Sequence, residues 1–211
     1  MHQQKNKTAL ILGATGLVGH QLLEILLQDN RYTHITCLVR KPLAASVTGD
    51  AEHKLQHLVI DFEALRDYED YFQVDHVYVC LGTTQNKAGS KAAFRKVDFD
   101  YVHLAAQLAR AQKSGSFVWI SSVGADAKSP SFYLRVKGEL EDTLFSMSGL
   151  ANAATVRPSL LIGDRNESRP AEQLGIALAP FISPLLLGPL RKYRPVHAHA
   201  VAQKMINLQV W

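Results

Sequence analysis

A chain of 211 residues, of which 47% are apolar and 20% charged, is long enough for one domain with a buried core and has the composition of an ordinary soluble globular protein. The 23 lysines and arginines and 19 aspartates and glutamates give a net charge of +4, spread along the sequence. This balance argues against nucleic-acid binding and is compatible with a pocket for an anionic ligand.

Short apolar runs alternate with helical patterns up to about residue 157. The runs cover residues 8–12, 35–39, 58–60, 76–81, 117–120 and 154–156, and helical segments separate most of them. Continuous apolar strands that alternate with helices indicate a parallel sheet covered on both faces. Right-handed crossovers then predict an α/β fold with a doubly wound parallel sheet, of the Rossmann type.

The first predicted strand turns into the first helix through G-A-T-G-L-V-G, residues 13–19. A pyrophosphate has to approach the backbone closely at such a turn, which requires positions without side chains, such as Gly13. The helix N-terminus adds free N–H groups and a partial positive charge, and Gly19 allows the helix to pack closely on the strand. The context predicts a dinucleotide site; the alternative is a tight turn that binds no ligand.

The second predicted strand ends at Val39 and is followed by Arg40 and Lys41. A site for NAD usually places a carboxylate here to accept from the ribose 2′-hydroxyl, whereas arginine pairs with the 2′-phosphate of NADP. Two cations without a carboxylate therefore predict NADPH; the alternative is a solvated basic turn. Asp61, just past the third strand, is placed either to contact the adenine or to cap the following helix.

Tyr133 and Lys137 lie four residues apart in Y-L-R-V-K and project from one face of a predicted helix. A nearby ammonium and an oxidised nicotinamide both favour the phenolate form of a tyrosine, so such a phenol can exchange a proton with a carbonyl oxygen. Lys137 can also hold the nicotinamide ribose. Ser122 ends a strand and can bond the same substrate oxygen, with Ser121 as the alternative. The pattern occurs by chance in many helices, but its place after a Ser-Ser pair and a dinucleotide turn predicts a catalytic site.

Three weaker signals bear on compartment and ligands. Cys37 and Cys80 lie in apolar runs without metal-ligand spacing, which predicts reduced thiols, and with no signal-peptide pattern we expect a cytoplasmic protein. His197 and His199 lack a third ligand, so no metal is expected. Residues 174–190 are the most apolar stretch, but prolines and glycines interrupt it. We expect a lid or pocket wall without stable membrane insertion; the alternatives are a dimer face or a membrane-touching patch.

The glycine turn and the Y-x-x-x-K string together resemble the short-chain dehydrogenase/reductase superfamily, in its extended and atypical branches. More narrowly, the sequence resembles the Tat-interacting-protein-like oxidoreductases. The strings that match are I-L-G-A-T-G (11–16), C-L-G-T-T (80–84), K-A-G (87–89), V-D-F-D-Y-V (97–102), S-S-V-G-A-D (121–126), F-Y-L-R-V-K-G-E-L-E (132–141), R-P-S-L-L (157–161) and D-R-N-E-S-R-P (164–170). They span nearly the whole chain in the order found in the family.

The resemblance implies an NADPH-binding enzyme in which Tyr133 donates or accepts the proton. It also implies that Arg40 and Lys41 contact the 2′-phosphate. Further cofactor contacts that it implies are Thr15, Gly16, Leu17, Val18, Leu81, Gly82, Tyr133, Lys137, Leu161 and Arg169. The sequence departs from many extended relatives at Asp98, near where they carry asparagine.

The expected function is NADPH-dependent reduction of a small carbonyl compound. We expect a single NAD(P)-binding domain over residues 1–211, in which residues 157–195 form a small C-terminal substrate lobe. Two alternatives stay open. One is a protein that binds NADPH and reports it to a protein partner without turnover, and the other is isomerisation of a nucleotide sugar. A homodimer is also compatible with the sequence.

Overall fold

The computed structural model describes residues 6–44, 53–162 and 194–211. Six parallel strands form one sheet in the order β3-β2-β1-β4-β5-β6, which confirms the predicted doubly wound arrangement. The order reverses beside β1, where the chain crosses from one half of the sheet to the other. The strands are β1 (Lys7–Leu12), β2 (Tyr32–Val39), β3 (Leu55–Val59), β4 (His76–Val79), β5 (Ser116–Ile120) and β6 (Ala153–Val156).

Helices connect the strands and cover both faces of the sheet. A 3-10 segment over Phe62–Phe72 joins β3 to β4, and a π turn over Lys96–Asp100 interrupts the helix that leads to β5. Two further strands, β7 (Leu161–Ile162) and β8 (Val196–His197), pair in parallel outside the main sheet. The helices are α1 (Leu17–Gln28), α2 (Gln85–Ala88), α3 (Lys91–Arg95), α4 (Tyr101–Ala111), α5 (Phe132–Phe145) and α6 (Ala198–Asn207).

The core has two layers, one on each face of the sheet. Along β1, Ile11 packs toward α1 and α6, whereas Leu10 and Leu12 pack toward the 3-10 segment, α4 and α5. All three side chains are completely buried. Because both faces are covered, the strand reads as a continuous apolar run instead of an alternating pattern.

Several predicted boundaries differ from the structure. β2 begins at Tyr32 instead of residue 35, and β3 covers Leu55–Val59 instead of 58–60 because its residues pair with β2 from Ile35 onward. His197 ends β8 while His199 lies in α6, so the two imidazoles do not share one strand face. In the described ranges, no group of three or more His, Cys, Asp or Glu side chains is placed to hold a metal ion.

Much of the predicted substrate lobe, including the apolar run 174–190, lies outside the described residues. Among the helices of residues 6–44, 53–162 and 194–211, none combines the length and apolarity that a membrane crossing needs. Cys37 and Cys80 are free thiols, as expected. Burial raises the pKa of Cys37 to about 12 and also raises the pKa of Cys80, so both stay protonated at neutral pH.

Candidate cofactor and catalytic site

The glycine turn brings three backbone segments into close contact. Gly13 has a φ of +90°, and a Cβ there would lie 2.7 Å from the carbonyl carbon of Cys80 at the end of β4. A Cβ on Gly19 would lie 2.1 Å from the carbonyl oxygen of Gly13. Both positions therefore require glycine, and the helix starts directly against the strand, as a dinucleotide site needs.

The N-terminus of α1 is open to an anion. Gly16 is its N-cap residue and has no side chain that could accept from the first-turn N–H groups. No acidic residue lies in that first turn, so the partial positive charge of the helix end is not offset locally. This is the arrangement that binds phosphate at a helix N-terminus.

A cleft opens at this edge of the sheet between the glycine turn, the end of β2 and the segment that follows β4. Six of the predicted cofactor residues line the cleft or its floor: Gly13, Thr15, Gly16, Arg40, Leu81 and Gly82. Val18 is buried and packs into the core beneath the turn, with Leu17 partly buried against the same cluster. Lys41 is exposed beside Arg40. The structure therefore assembles the phosphate and ribose parts of the prediction at one place.

Six residues that line the cleft were not predicted from the sequence: Leu38, Val39, Phe62, Cys80, Val97 and Tyr101. The ring centroids of Phe62 and Tyr101 lie 5.6 Å apart. The Tyr101 hydroxyl donates to Glu63 Oε1 at 2.7 Å. Burial and this bond raise the pKa of Tyr101 to about 12, so the ring stays a neutral phenol. The four-residue spacing of Val97 and Tyr101 was visible, but it reads as the core face of a helix.

Asp61 caps the segment that follows it. Its Oδ1 accepts from the backbone N–H of Glu63 at 3.0 Å. Of the two roles that the sequence left open, the structure shows the cap, and Asp61 is not among the described residues that line the cleft. The capping preference of aspartate explains why it stands at this position.

Tyr133 and Lys137 both lie on α5, which is held close to the preceding loop. A Cβ on Gly138 would lie 2.2 Å from the backbone N of Ala127, so glycine allows the helix to approach. The Tyr133 side chain is half-buried and its ring centroid lies 5.7 Å from that of Phe94. Lys137 is only 3% exposed. The predicted pair therefore lies on a firmly packed helix.

The two serines after β5 differ in their surroundings. The Ser122 hydroxyl donates to the carbonyl oxygen of Val123 at 3.3 Å. The Ser121 hydroxyl is buried and has no hydrogen-bond partner among the described residues. A buried hydroxyl without a partner is uncommon, so Ser121 stays an alternative for orienting a substrate oxygen.

The ammonium of Lys137 is not an isolated cation. Its Nζ lies 2.8 Å from Asp98 Oδ1 in a fully buried ion pair and 3.4 Å from the carbonyl oxygen of Ile120. The other carboxylate oxygen of Asp98 accepts from the backbone N–H of Thr83 at 2.8 Å. From the sequence, Lys137 was expected to be a free cation beside the phenol, whereas in the structure it forms a pair with Asp98 whose net charge is zero.

The remaining predicted contacts lie near or beyond the described ranges. Leu161 begins β7 and is half-buried against the α1 and α6 layer. Arg169 lies outside the described residues.

Comparison with known proteins shows the family of the chain. A family model described as NAD(P)H-binding matches residues 13–169, so the chain belongs to this NAD(P)H-binding family. It is 39% identical to Protein HTATIP2 of Rattus norvegicus over 173 residues, covering 82% of this chain and 70% of the relative. It is 32% identical to mitochondrial Protein FMP52-1 of Scheffersomyces stipitis, covering 77% of this chain and 70% of that protein. The resemblance read from the sequence motifs is confirmed.

Solved structures with the same fold include enzymes that act on nucleotide sugars. The Helicobacter pylori ADP-L-glycero-D-manno-heptose-6-epimerase has a TM-score of 0.72 and 14% identity, covering 99% of this chain and 75% of the epimerase. MoeE5, solved in complex with UDP-glucose and NAD, has a TM-score of 0.68 and 16% identity, covering 96% of this chain and 71% of that one. At these identities the likeness shows the fold alone.

The expected cytoplasmic localisation is wrong. Several relatives are named mitochondrial, among them the FMP52 proteins of Candida albicans, at 34% identity, and Debaryomyces hansenii, at 31%. The expectation was based on reduced thiols and a missing signal-peptide pattern, neither of which distinguishes the cytoplasm from the interior of an organelle.

Proposed function

We propose that this protein is an NADPH-dependent oxidoreductase of the short-chain dehydrogenase/reductase type that reduces a small carbonyl compound. The observation that carries the proposal is the position of Lys137 relative to the cleft. Its ammonium bonds Asp98 Oδ1, which lies 3.5 Å from the point where a Cβ on Gly82 would stand. Gly82 itself lines the cleft. The proposed catalytic helix and the proposed cofactor site are therefore neighbours.

The preference for NADPH is supported by the end of β2. Arg40 lines the cleft there, Lys41 follows it, and no carboxylate takes the position that usually accepts from a free ribose 2′-hydroxyl. A guanidinium can hold a 2′-phosphate with two parallel hydrogen bonds. The space beside Gly13, which a Cβ would fill, fits the approach of a pyrophosphate. Bound NADPH would supply the hydride.

The side chains on α5 and after β5 would manage the proton. Tyr133 donates its phenolic proton to the carbonyl oxygen of the substrate as the carbon is reduced. Ser122 orients that oxygen with its hydroxyl, and Ser121 is the alternative. Lys137 holds the nicotinamide ribose and the phenol in position. Each of these roles is part of the proposal.

The test is the substitution Tyr133→Phe, which removes only the hydroxyl. We expect loss of NADPH oxidation with a panel of aldehydes, ketones and quinones, while the calorimetric affinity for NADPH stays within about twofold, because the ring and its contact with Phe94 remain. Tyr68→Phe, on the 3-10 segment, is the matched control and should leave turnover unchanged. Unchanged turnover in Tyr133→Phe would refute the proton-transfer role.

A second candidate is a protein that binds NADPH and reports it to a protein partner without turnover. The observation that favours it is the neutralised ammonium of Lys137, since a cation already paired with Asp98 stabilises a phenolate less than a free one. Tight NADPH binding without oxidation by any compound in the panel would support this candidate over the reductase. The names of the FMP52 relatives support a mitochondrial setting for either function.

A further inference from the structure

We infer that Asp98 is a positioning residue that holds the Lys137 ammonium and couples it to the cofactor-lining segment after β4. This inference rests on the proposed NADPH site. Both oxygens of the carboxylate are used: Oδ1 bonds Lys137 Nζ at 2.8 Å, and Oδ2 accepts from Thr83 N–H at 2.8 Å. Asp98 is 1% exposed and Lys137 is 3% exposed. Buried charges persist when paired and hydrogen-bonded in this way, and removing one partner strands the other.

The backbone around Asp98 is irregular in a way that suits this role. The π turn Lys96–Asp100 lies between α3 and α4 and includes one more residue per hydrogen-bonded turn than an α-helix. Within it, Asp98 points into the protein whereas its neighbour Val97 lines the cofactor cleft. Single π turns inside helices occur frequently at functional sites. Adjacent residues of the turn, Val97 and Asp98, therefore face the cleft and the protein interior, respectively.

The segment that contains Asp98 packs against α5 in register with the proposed catalytic pair. Phe94 contacts Tyr133, with ring centroids 5.7 Å apart, and four residues later Asp98 contacts Lys137. Phe94 is completely buried. One helical face therefore supports both members of the pair, the first through an aromatic contact and the second through an ion pair.

The same carboxylate reaches the cofactor side through the chain after β4. Leu81 and Gly82 line the cleft, and Thr83, the next residue, donates its N–H to Asp98. A ligand bound in the cleft would contact this segment, and the segment holds the Asp98 carboxylate that pairs with Lys137. Energetic coupling between NADPH and Lys137 through Asp98 follows from this shared contact.

The experiment is a double-mutant cycle on the NADPH dissociation constant, measured by calorimetry without any substrate. Asp98→Asn keeps the size of the side chain but removes its charge, and Lys137→Met removes the ammonium. Each single variant is expected to weaken NADPH binding by about tenfold. The double variant is expected to weaken it by about tenfold as well, because both changes remove one shared interaction.

Glu141→Gln is the matched control. Glu141 lies one turn after Lys137 on α5, is equally buried, and accepts from Arg157 Nε at 2.9 Å; neither residue lines the nucleotide cleft. It should lower the melting temperature as Asp98→Asn does, while the NADPH affinity stays within about twofold. A loss of affinity in this control equal to that in Asp98→Asn would reduce Asp98 to a general stabilising residue and overturn the inference.

The outcomes separate the inference from the proposed function. If the unaltered protein binds NADPH and Asp98→Asn binds it equally well, the coupling is absent and only the inference fails. The same holds if the double variant binds NADPH about a hundredfold more weakly, because the two single losses of affinity are then independent. If the unaltered protein does not bind NADPH, both fail. If Asp98→Asn does not fold, the double variant Asp98→Leu, Lys137→Met takes its place, because it leaves no buried unpaired charge. The inference then requires that this double variant and Lys137→Met alone have the same affinity for NADPH.

Discussion

The two ends of the parallel sheet differ in what surrounds their polar groups. At the amino-terminal end, the Tyr32 hydroxyl bonds His76 Nδ1 at 2.6 Å and the Tyr78 hydroxyl at 2.7 Å, and His76 Nε2 bonds the carbonyl oxygen of Val210 at 2.9 Å. At the carboxyl end, the glycine turn, Arg40 and the segment after β4 line an open cleft. Polar groups satisfied within the protein stabilise the fold, whereas those directed at a cleft are available to a ligand.

The paired carboxylates also differ between the two ends of the sheet. At the amino-terminal end, Asp75 accepts from Lys7 Nζ and from the backbone N–H and hydroxyl of Thr8, so one carboxylate joins the start of β1 to the segment before β4. Burial alone would raise the pKa of Asp75, but these hydrogen bonds outweigh it and lower the pKa. At the carboxyl end, Asp98 links the segment after β4 to a lysine beside the proposed active site. The Asp75 carboxylate thus stabilises the fold at the amino-terminal end, and on our proposal the Asp98 carboxylate supports catalysis at the carboxyl end.

The largest expected effect comes from forcing α1 away from the glycine turn. Gly19→Ala places a Cβ 2.1 Å from the Gly13 carbonyl oxygen, so α1 must move away from β1. We expect stability to fall by about 3 kcal/mol and NADPH affinity to fall by at least about a hundredfold, measured by chemical unfolding and calorimetry. Gly149→Asn is the control, because a Cβ there would make only ordinary van der Waals contact with the Arg110 side chain and asparagine tolerates a positive φ; it should leave NADPH affinity unchanged and stability little changed. Normal NADPH binding by Gly19→Ala would contradict the proposed phosphate site.

The same chemical change at each end of the sheet should lower stability by different amounts. Tyr32→Phe leaves His76 Nδ1 and the Tyr78 hydroxyl without a shared partner in a buried site, so unfolding free energy should fall by about 1–3 kcal/mol with NADPH affinity unchanged. Tyr101→Phe loses only a hydrogen bond to exposed Glu63, so its stability should fall less. If Tyr32→Phe weakened NADPH binding without destabilising the protein, the division between the two ends would be wrong.

Acid should weaken the amino-terminal end first. Burial lowers the pKa of His76 below its ordinary value of 6.5, with its ring accepting from Tyr32. The unfolded chain therefore takes up a proton near pH 6.5 that the folded protein resists, and stability falls as pH drops below 6.5, by at most about 1.4 kcal/mol per pH unit. Asp75, whose folded pKa is lowered, adds a further loss below pH 3.8. Unfolding curves between pH 8 and pH 5 measure the first step.

Substitution of His76 itself tests whether this group causes the pH dependence. His76→Gln should flatten that slope below pH 6.5 at the cost of lower stability at every pH, since its hydrogen bonds are only partly replaced. An identical slope in His76→Gln and the unaltered protein would show that another group is responsible.

How far the sequence predicted the molecule depends on the range of the interactions concerned. The glycine turn was predictable because strand, turn and helix are adjacent in the chain, and its steric demand falls on Gly13 and Gly19 themselves. The ion pair of Asp98 and Lys137 was not, because it joins residues 39 positions apart on two different helical segments. The periodicity of one segment shows which of its faces is buried but does not show which distant segment packs against that face.

The aromatic residues of the cleft were not predicted for a related reason. Phe62 lies in a 3-10 segment whose hydrogen-bonding differs from the helix that the sequence predicted after β3, and its contact with Tyr101 joins two distant segments. The amino-terminal network was likewise hidden, since Tyr32 stood outside the predicted strand 35–39. Local patterns therefore predicted the frame of the fold, while contacts between distant segments determined which polar groups meet.

The most direct test is a calorimetric titration of the unaltered protein with NADPH and with NADH, repeated with Arg40→Ala. The account predicts one bound nucleotide per chain, a preference for NADPH of at least about tenfold, and loss of that preference in Arg40→Ala with NADH affinity unchanged. On our proposal Arg40, which lines the cleft, contacts the 2′-phosphate, and NADH lacks this phosphate. An absence of binding heat with either nucleotide, or an equal preference before and after removal of Arg40, would contradict it.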